Sequence, residues 1–167
     1  MVVVRRIAAD DGPLLRRVRL AAIADSPGEF TSTLEQAEAH DAHHWEAAAD
    51  LNATGASQAT FFAEADGAAV GMVGAYIMPD GVVTLVGLWS APGYRDVGVA
   101  DALLESAAEW ATRSGALQLR LWLVDRNEHA RRFYEGRGFA ATGETMPYEL
   151  DTSIQQIEMS CPLAAPD

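Results

Sequence analysis

The sequence predicts an α/β fold, an α+β mixed sheet with helices on both faces. Three observations predict it. Short β-branched or alternating apolar runs recur along the chain, bounded by Gly, Pro, Asn and Asp. Between them lie segments whose apolar residues return every three or four positions. The elements follow in the order β-α-α-β-β-β-α-β-α-β-β, so a central meander is flanked by helical stretches.

Val2 to Ile7 is a β-branched run and reads as the first strand. Asp10 or Asp11 can cap the helix that follows, with Pro13 in its first turn. Leu15, Val18 and Ala22 keep helical spacing until Ser26-Pro27-Gly28 stops the run. Glu35 to Leu51 reads as one second helix with Trp45 on its apolar side, and Asn52 to Ser57 as a loop. Thr60–Ala65, Ala69–Met78 and Val82–Trp89 are three strands joined by Asp66-Gly67 and by Pro79-Asp80-Gly81, an antiparallel meander. After Pro92-Gly93, the residues Val99, Leu103, Ala107, Trp110 and Ala111 have helical spacing. Leu117, Leu119, Leu121 and Leu123 alternate strictly, as in a strand. Asn127 opens a helix ending near Gly138, Thr145 onward reads as a loop around Pro147, and Ile154 to Cys161 as the closing strand. No repeat or linker interrupts the chain, so residues 1–167 are expected to form a single domain.

Composition narrows the function classes. The 167 residues are 49% hydrophobic and 22% charged, as in a globular domain and unlike a disordered chain. The longest apolar stretch, Gly67 to Met78, is too short for a bilayer span, and Arg5-Arg6 leaves no signal-peptide core after Val2-Val3-Val4. A cytoplasmic location is expected. The formal net charge of −12 disfavours nucleic acid and anionic membrane as partners. All 12 basic residues are arginines. None falls between Leu20 and Tyr94, where ten carboxylates occur, and seven follow from Arg95 onward. The run is a solvated acidic face or a surface that attracts cations.

Two stretches carry chemistry. Arg95-Asp96-Val97-Gly98-Val99-Ala100 lies between a strand and a helix. A turn there aims backbone N–H groups and the helix dipole at one point, which suits a pyrophosphate. Gly98 lets the backbone approach an anion closely. An ordinary strand-to-helix turn would use the same residues. Farther on, Asn127, Ala130 and Tyr134 fall near one helix face, followed by Gly138-Phe139. Capping by Asn127 and packing by its neighbours account for all of these except the choice of Tyr over Phe at 134.

Together and in this order, the two stretches are similar to the cofactor motifs of the GNAT superfamily of acyl-CoA-dependent N-acyltransferases. The motifs span Thr84 to Phe139, and the order of elements agrees over nearly the whole chain. The resemblance implies a GNAT-like fold, a central mostly antiparallel sheet whose fourth and fifth strands splay apart. It implies that backbone amides of Arg95, Asp96, Val97, Gly98, Val99 and Ala100 hold the pyrophosphate of acetyl-CoA. Pantetheine would then lie along Leu88, Trp89 and Ser90, with a backbone N–H near Trp89 or Ser90 polarising the thioester carbonyl. Asn127 would hydrogen-bond the pantetheine or the chain beside it. Tyr134 would protonate the leaving thiolate, its pKa of about 10 lying near the thiol's, about 8.5.

The sequence departs from the family pattern at Asp96, where glycine is frequent, and at Asp101, where a basic or small residue is frequent. The fourth strand offers no carboxylate among Leu85, Val86, Gly87 and Leu88, so the general base is open among Glu29, Glu35, Tyr76, Glu144 and a water chain. The resemblance places the acceptor site largely in the arginine-free part of the chain, with Phe30 and Tyr76 as substrate-binding candidates and Trp45 as core. A cationic amine of a small molecule or peptide is therefore the expected acceptor, with direct transfer from acetyl-CoA and no metal. The alternatives are a non-catalytic acyl-CoA-binding regulatory module, another acyl-CoA, or a protein N-terminus as acceptor; a homodimer is compatible with all of them. His40 and His44 lie four apart beside Asp41 and read as a polar helix face rather than a zinc site. Cys161 has no neighbouring base and no nucleophilic role is assigned to it.

Overall fold

A computed structural model describes residues 1–164. Seven strands form one sheet in the order β1-β2-β3-β4-β5-β7-β6. These are β1 (Val3–Arg6), β2 (Gln58–Ala65), β3 (Ala68–Ile77), β4 (Val83–Ser90), β5 (Gln118–Val124), β6 (Ala140–Tyr148) and β7 (Asp151–Pro162). The helices are α1 (Gly12–Asp25), α2 (Leu34–Glu38), α3 (Ala42–Thr54), α4 (Val99–Arg113) and α5 (Glu128–Glu135). Among the described residues no helix is long and apolar enough to cross a membrane.

Side-chain alternation along the strands builds a core on each face. Phe61 points to the face covered by α4, where it joins Leu103, Ala107 and Trp110. Its neighbour Phe62 points to the other face, with Leu15 and Val18 of α1 and Trp45 and Ala49 of α3. Each fully buried large apolar side chain contributes roughly 1.5–3 kcal/mol. Trp45 is core, as its place on the helix predicts.

Three local expectations are corrected. The helix expected over Glu35–Leu51 is two helices, because two capping residues compete for its start. Thr33 accepts from the Gln36 amide at 3.1 Å, and the Gln36 side chain accepts from the Thr33 amide at 3.0 Å, completing a capping box on α2. Asp41 accepts from the His44 amide at 3.0 Å and starts α3 afresh. The loop expected at Asn52 begins only after Thr54, since the Arg6 guanidinium collects the carbonyls of Asn52, Gly55 and Gln58 and satisfies the end of α3. The loop expected from Thr145 is strand, with Pro147 opposite Gln155. β6 lies at the sheet edge, where proline costs no ladder bond. The alternating leucines behave as a strand from Leu119 onward, while Leu117 precedes β5 and is exposed.

The irregularity that matters lies at the centre. β4 and β5 form the sheet's one parallel pair, and they pair only at Val83↔Leu119 and Thr84↔Arg120. Beyond that point they diverge, as the splayed strands of the expected fold do. The β3–β4 register also slips between Met72 and Gly74, opposite Gly87 and Leu88, and Gly87 takes φ 61°. Only glycine holds that conformation cheaply, so it marks where β4 bends away from its ladder.

Candidate active site

Two cavities, of about 740 and 510 Å³, open beside the gap between β4 and β5. Leu88, Trp89 and Ser90 line one wall of the larger. Arg95, Asp96, Gly98 and Ala100 line its end, and Asn127, Ala130 and Tyr134 face them from α5. Val97 and Val99 contribute no side chain to it: Val97 is exposed and Val99, the first residue of α4, is buried in the core. Their part is confined to the main chain.

The end of this cavity is a helix start without a side-chain cap. Gly98 precedes α4 at φ 89°, and a Cβ there would meet nothing within 4 Å. The first helical carbonyl acceptor is Gly98, taken by the Ala102 amide, so the amides before it in α4 have no partner within the helix. This is a cradle that fits a phosphate. The neighbouring charges are ordered. Arg95 is held by Asp25 and by the Ser90 carbonyl at 3.2 Å. Asp25 also accepts from the Trp89 indole at 2.9 Å, which joins the end of α1 to the end of β4. Asp101 is paired with Arg137, whose Nη2 lies 3.0 Å from Oδ2. The pairing holds the Asp101 carboxyl below its usual range and removes much of its repulsion for an anion. Arg137 also stacks 3.6 Å above the Phe133 ring.

Asn127 has two jobs. Its Oδ1 accepts from the Ala130 amide at 3.1 Å and caps α5, while its Nδ2 donates to Glu29. Glu29 ends a 3-10 turn, Pro27–Glu29, and the Tyr148 hydroxyl of β6 donates to the Phe30 carbonyl beside it. Partial desolvation pushes the Glu29 carboxyl up, against the pull of the Asn127 hydrogen bond. Tyr134 is half-buried between Phe133 and Phe139, at centroid distances of 5.2 and 5.4 Å. Desolvation first, and then the Glu29 charge, push its phenol up, so it stays protonated at neutral pH.

The smaller cavity contains both acceptor-side candidates, Phe30 and Tyr76. Of the ten carboxylates between Leu20 and Tyr94, it includes Glu29 alone among the described residues. It also includes Arg19 and Arg120, which lie outside the arginine-free run in sequence. The expectation of an acidic acceptor pocket is thus corrected: a run without arginines does not make a cavity without them, because α1 and β5 supply two. Glu35 and Glu144 line neither cavity. Three residues line both cavities: Glu29, Leu88 and Tyr134. A carboxylate and a phenol therefore meet where the two spaces join, beside the bend in β4.

A family model, acetyltransferase (GNAT) family, matches residues 20–139. The chain belongs to the GNAT family. Among curated relatives, an aminoglycoside N(6')-acetyltransferase type 1 of Salmonella typhimurium is 30% identical over 98 residues, covering 54% of this chain and 68% of that one. An acetyltransferase of the family from Streptococcus pneumoniae superposes with a TM-score of 0.77 at 22% identity, over 98% of this chain and 100% of the other. The Salmonella typhimurium protein yncA, solved with its cofactor acetyl-CoA, gives 0.76 at 17% identity, over 100% and 98%. The two structures establish the fold. As a GNAT member the chain is an acyl-CoA-dependent N-acetyltransferase.

Glu29 and Arg19 are the residues that sequence reasoning underweighted. Glu29 stood as one base among several, since nothing local connects it to Asn127, 98 positions away. Arg19 went unremarked because it lies on α1 with no motif around it.

Proposed function

We propose that this domain, residues 1–167, moves the acetyl group of acetyl-CoA directly to the primary amine of a small molecule, with Glu29 as general base and Tyr134 as general acid. The observation that carries this reading is that these two groups are shared by the cavities on either side of the β4 bend. The likeness to an aminoglycoside acetyltransferase supports a small-molecule amine.

Backbone amides from Arg95 to Ala100 hold the pyrophosphate, and Leu88, Trp89 and Ser90 lie along the pantetheine. Acetyl-CoA supplies the activated acyl group. Glu29 takes a proton from the acceptor ammonium; its raised pKa makes it a stronger base than an ordinary carboxylate. A backbone N–H at the Trp89–Ser90 end of β4 steadies the carbonyl oxygen as the C–N bond forms and the C–S bond breaks. Tyr134 gives its phenolic proton to the departing sulfur and takes one back from the nitrogen of the new amide, so that thiol and amide both form neutral; the raised pKa keeps the phenol protonated until then. Asn127 holds Glu29 at the junction.

Thiol release from acetyl-CoA with a panel of primary amines tests the reading. The wild type releases thiol only when a suitable amine is present, and Tyr134→Phe lowers kcat by about 10²-fold or more with unchanged acetyl-CoA affinity. Binding of acetyl-CoA without turnover on any amine would instead mark a non-catalytic acyl-CoA-binding module.

A further inference from the structure

The acceptor cavity contains a cation that no group of the described residues neutralises. Arg120, on one side, is paired with Asp80 at 2.7 Å and Glu158 at 3.1 Å. Arg19 makes no ion pair among the described residues. Its Nε is out of contact with solvent and has no hydrogen-bond partner there. The one aromatic contact of its guanidinium is the Phe30 ring, 5.7 Å away. The Arg19 charge interacts with Tyr76, also in the cavity wall, and with His44 of α3. Arg19 is half-buried, and its Nε loses its hydration with no partner in return, so a ligand that enters the cavity can supply the missing acceptor.

Glu29 lines the same cavity, and neither Arg19 nor Glu29 is among the charges acting on the other. Besides the paired Arg120, the cavity thus holds one cation and one anion that no ion pair joins among the described residues. The wall also carries apolar side chains, Phe30, Met78, Val86 and Trp122 among them. A molecule matching this pattern carries an anion for Arg19, an ammonium for Glu29 and an apolar body.

We propose that the acceptor is an amino acid with an apolar side chain, whose carboxylate pairs with the Arg19 guanidinium while its amine reaches Glu29 and Tyr134. The assignment rests on the acetyl-transfer reading and adds the substrate class. The carboxylate provides two oxygens for the planar donor fork of arginine, which a lysine would not match. An amine lacking the carboxylate leaves Arg19 unpaired in the cavity and is discriminated against for that reason.

Matched acceptors test this: leucine against leucinamide, and phenylalanine against phenethylamine, in thiol release from acetyl-CoA. The expected result is that each amino acid exceeds its carboxylate-free partner in kcat/KM by about 10²-fold. Arg19→Gln should erase that preference by lowering the amino acid rates alone, and Arg19→Lys should restore part of it, while calorimetric binding of acetyl-CoA stays at the wild-type level in both. Amides and amines that match or exceed the amino acids would overturn the proposal and leave acetyl transfer standing. Thiol release with none of the four, from protein that binds acetyl-CoA, would overturn it equally. An Arg19→Gln protein that binds acetyl-CoA and keeps the full preference would show that Arg19 serves only to pack against Phe30. Failure of the wild type to bind acetyl-CoA at all would overturn the acetyl-transfer reading together with this one.

Discussion

The two cavities are built from different materials. The larger is made by main chain: a glycine-preceded helix start, the bent end of β4 and the capped start of α5. Its residues come from short local stretches, chiefly Leu88–Asp101 and Asn127–Arg137. The smaller is made by side chains from distant places, Arg19 on α1, Tyr76 on β3, Arg120 on β5 and Gln156 on β7. Main-chain geometry recognises what a whole family shares, because almost any side chain permits it. A side-chain wall recognises what one member needs, and each of its residues can change alone.

The sharpest way to break this comparison is at the junction, which belongs to both cavities. Glu29→Gln keeps the shape and the acceptor for the Asn127 hydrogen bond but cannot take a proton. It should lower kcat by about 10²-fold or more. The pH profile separates a base from a structural residue. A raised carboxyl pKa places the acid limb of the wild-type profile above the ordinary carboxylate range, and that limb should vanish in Glu29→Gln. Stability should move the other way. A group whose folded pKa is raised binds its proton more tightly when folded, so its contribution is full below the unfolded pKa and is lost as pH rises through the folded one. Above the folded pKa that contribution is gone in the wild type, and there the neutral glutamine should raise Tm. An active Glu29→Gln enzyme with the acid limb intact would remove Glu29 from the chemistry.

The next largest effect tests whether the first cavity really depends on main chain. Gly98→Val should weaken acetyl-CoA binding by about 10-fold or more. The left-handed conformation at φ 89° costs a β-branched residue about 1–2 kcal/mol. The new side chain also enters open space in front of the helix start, where a Cβ now meets no protein atom. Calorimetry that gives wild-type affinity would show that the loop does not hold the cofactor.

The same division explains what could be read in advance. The order of elements along the chain and most first-cavity residues were legible, since short motifs encode main-chain turns and periodicity encodes faces, and the family resemblance implied the splayed strands. The break between α2 and α3 was not, because it depends on which of two caps, Thr33 or Asp41, governs His40 and its neighbours. Nor was β6, whose Pro147 looks like a loop signal until its strand is known to be an edge. The pairing of Asp101 with Arg137 joins positions 36 apart and has no local trace. Charge along the chain misled in one respect: the arginine-free run says little about a cavity that α1 and β5 also line.

The smallest expected effect concerns Asp96, where the main-chain cradle carries a side chain that opposes it. Asp96 has φ 63°, a conformation that glycine takes freely and asparagine and aspartate take better than other residues. That accounts for glycine being frequent here in the family, and for aspartate being tolerated. The exposed carboxylate lines the cavity where a pyrophosphate would sit. Asp96→Asn removes the charge and keeps the conformational tolerance. It should strengthen acetyl-CoA binding by about fivefold or less, the scale of one exposed charge interaction, and the gain should shrink as salt screens it. Asp96→Gly removes the charge and the strain together. Equal gains in the two variants, both lost in high salt, assign the effect to charge. A gain in the glycine variant alone assigns it to the backbone. No gain in either means that the carboxylate points away from the bound anion, and the cradle then works with aspartate as well as with glycine.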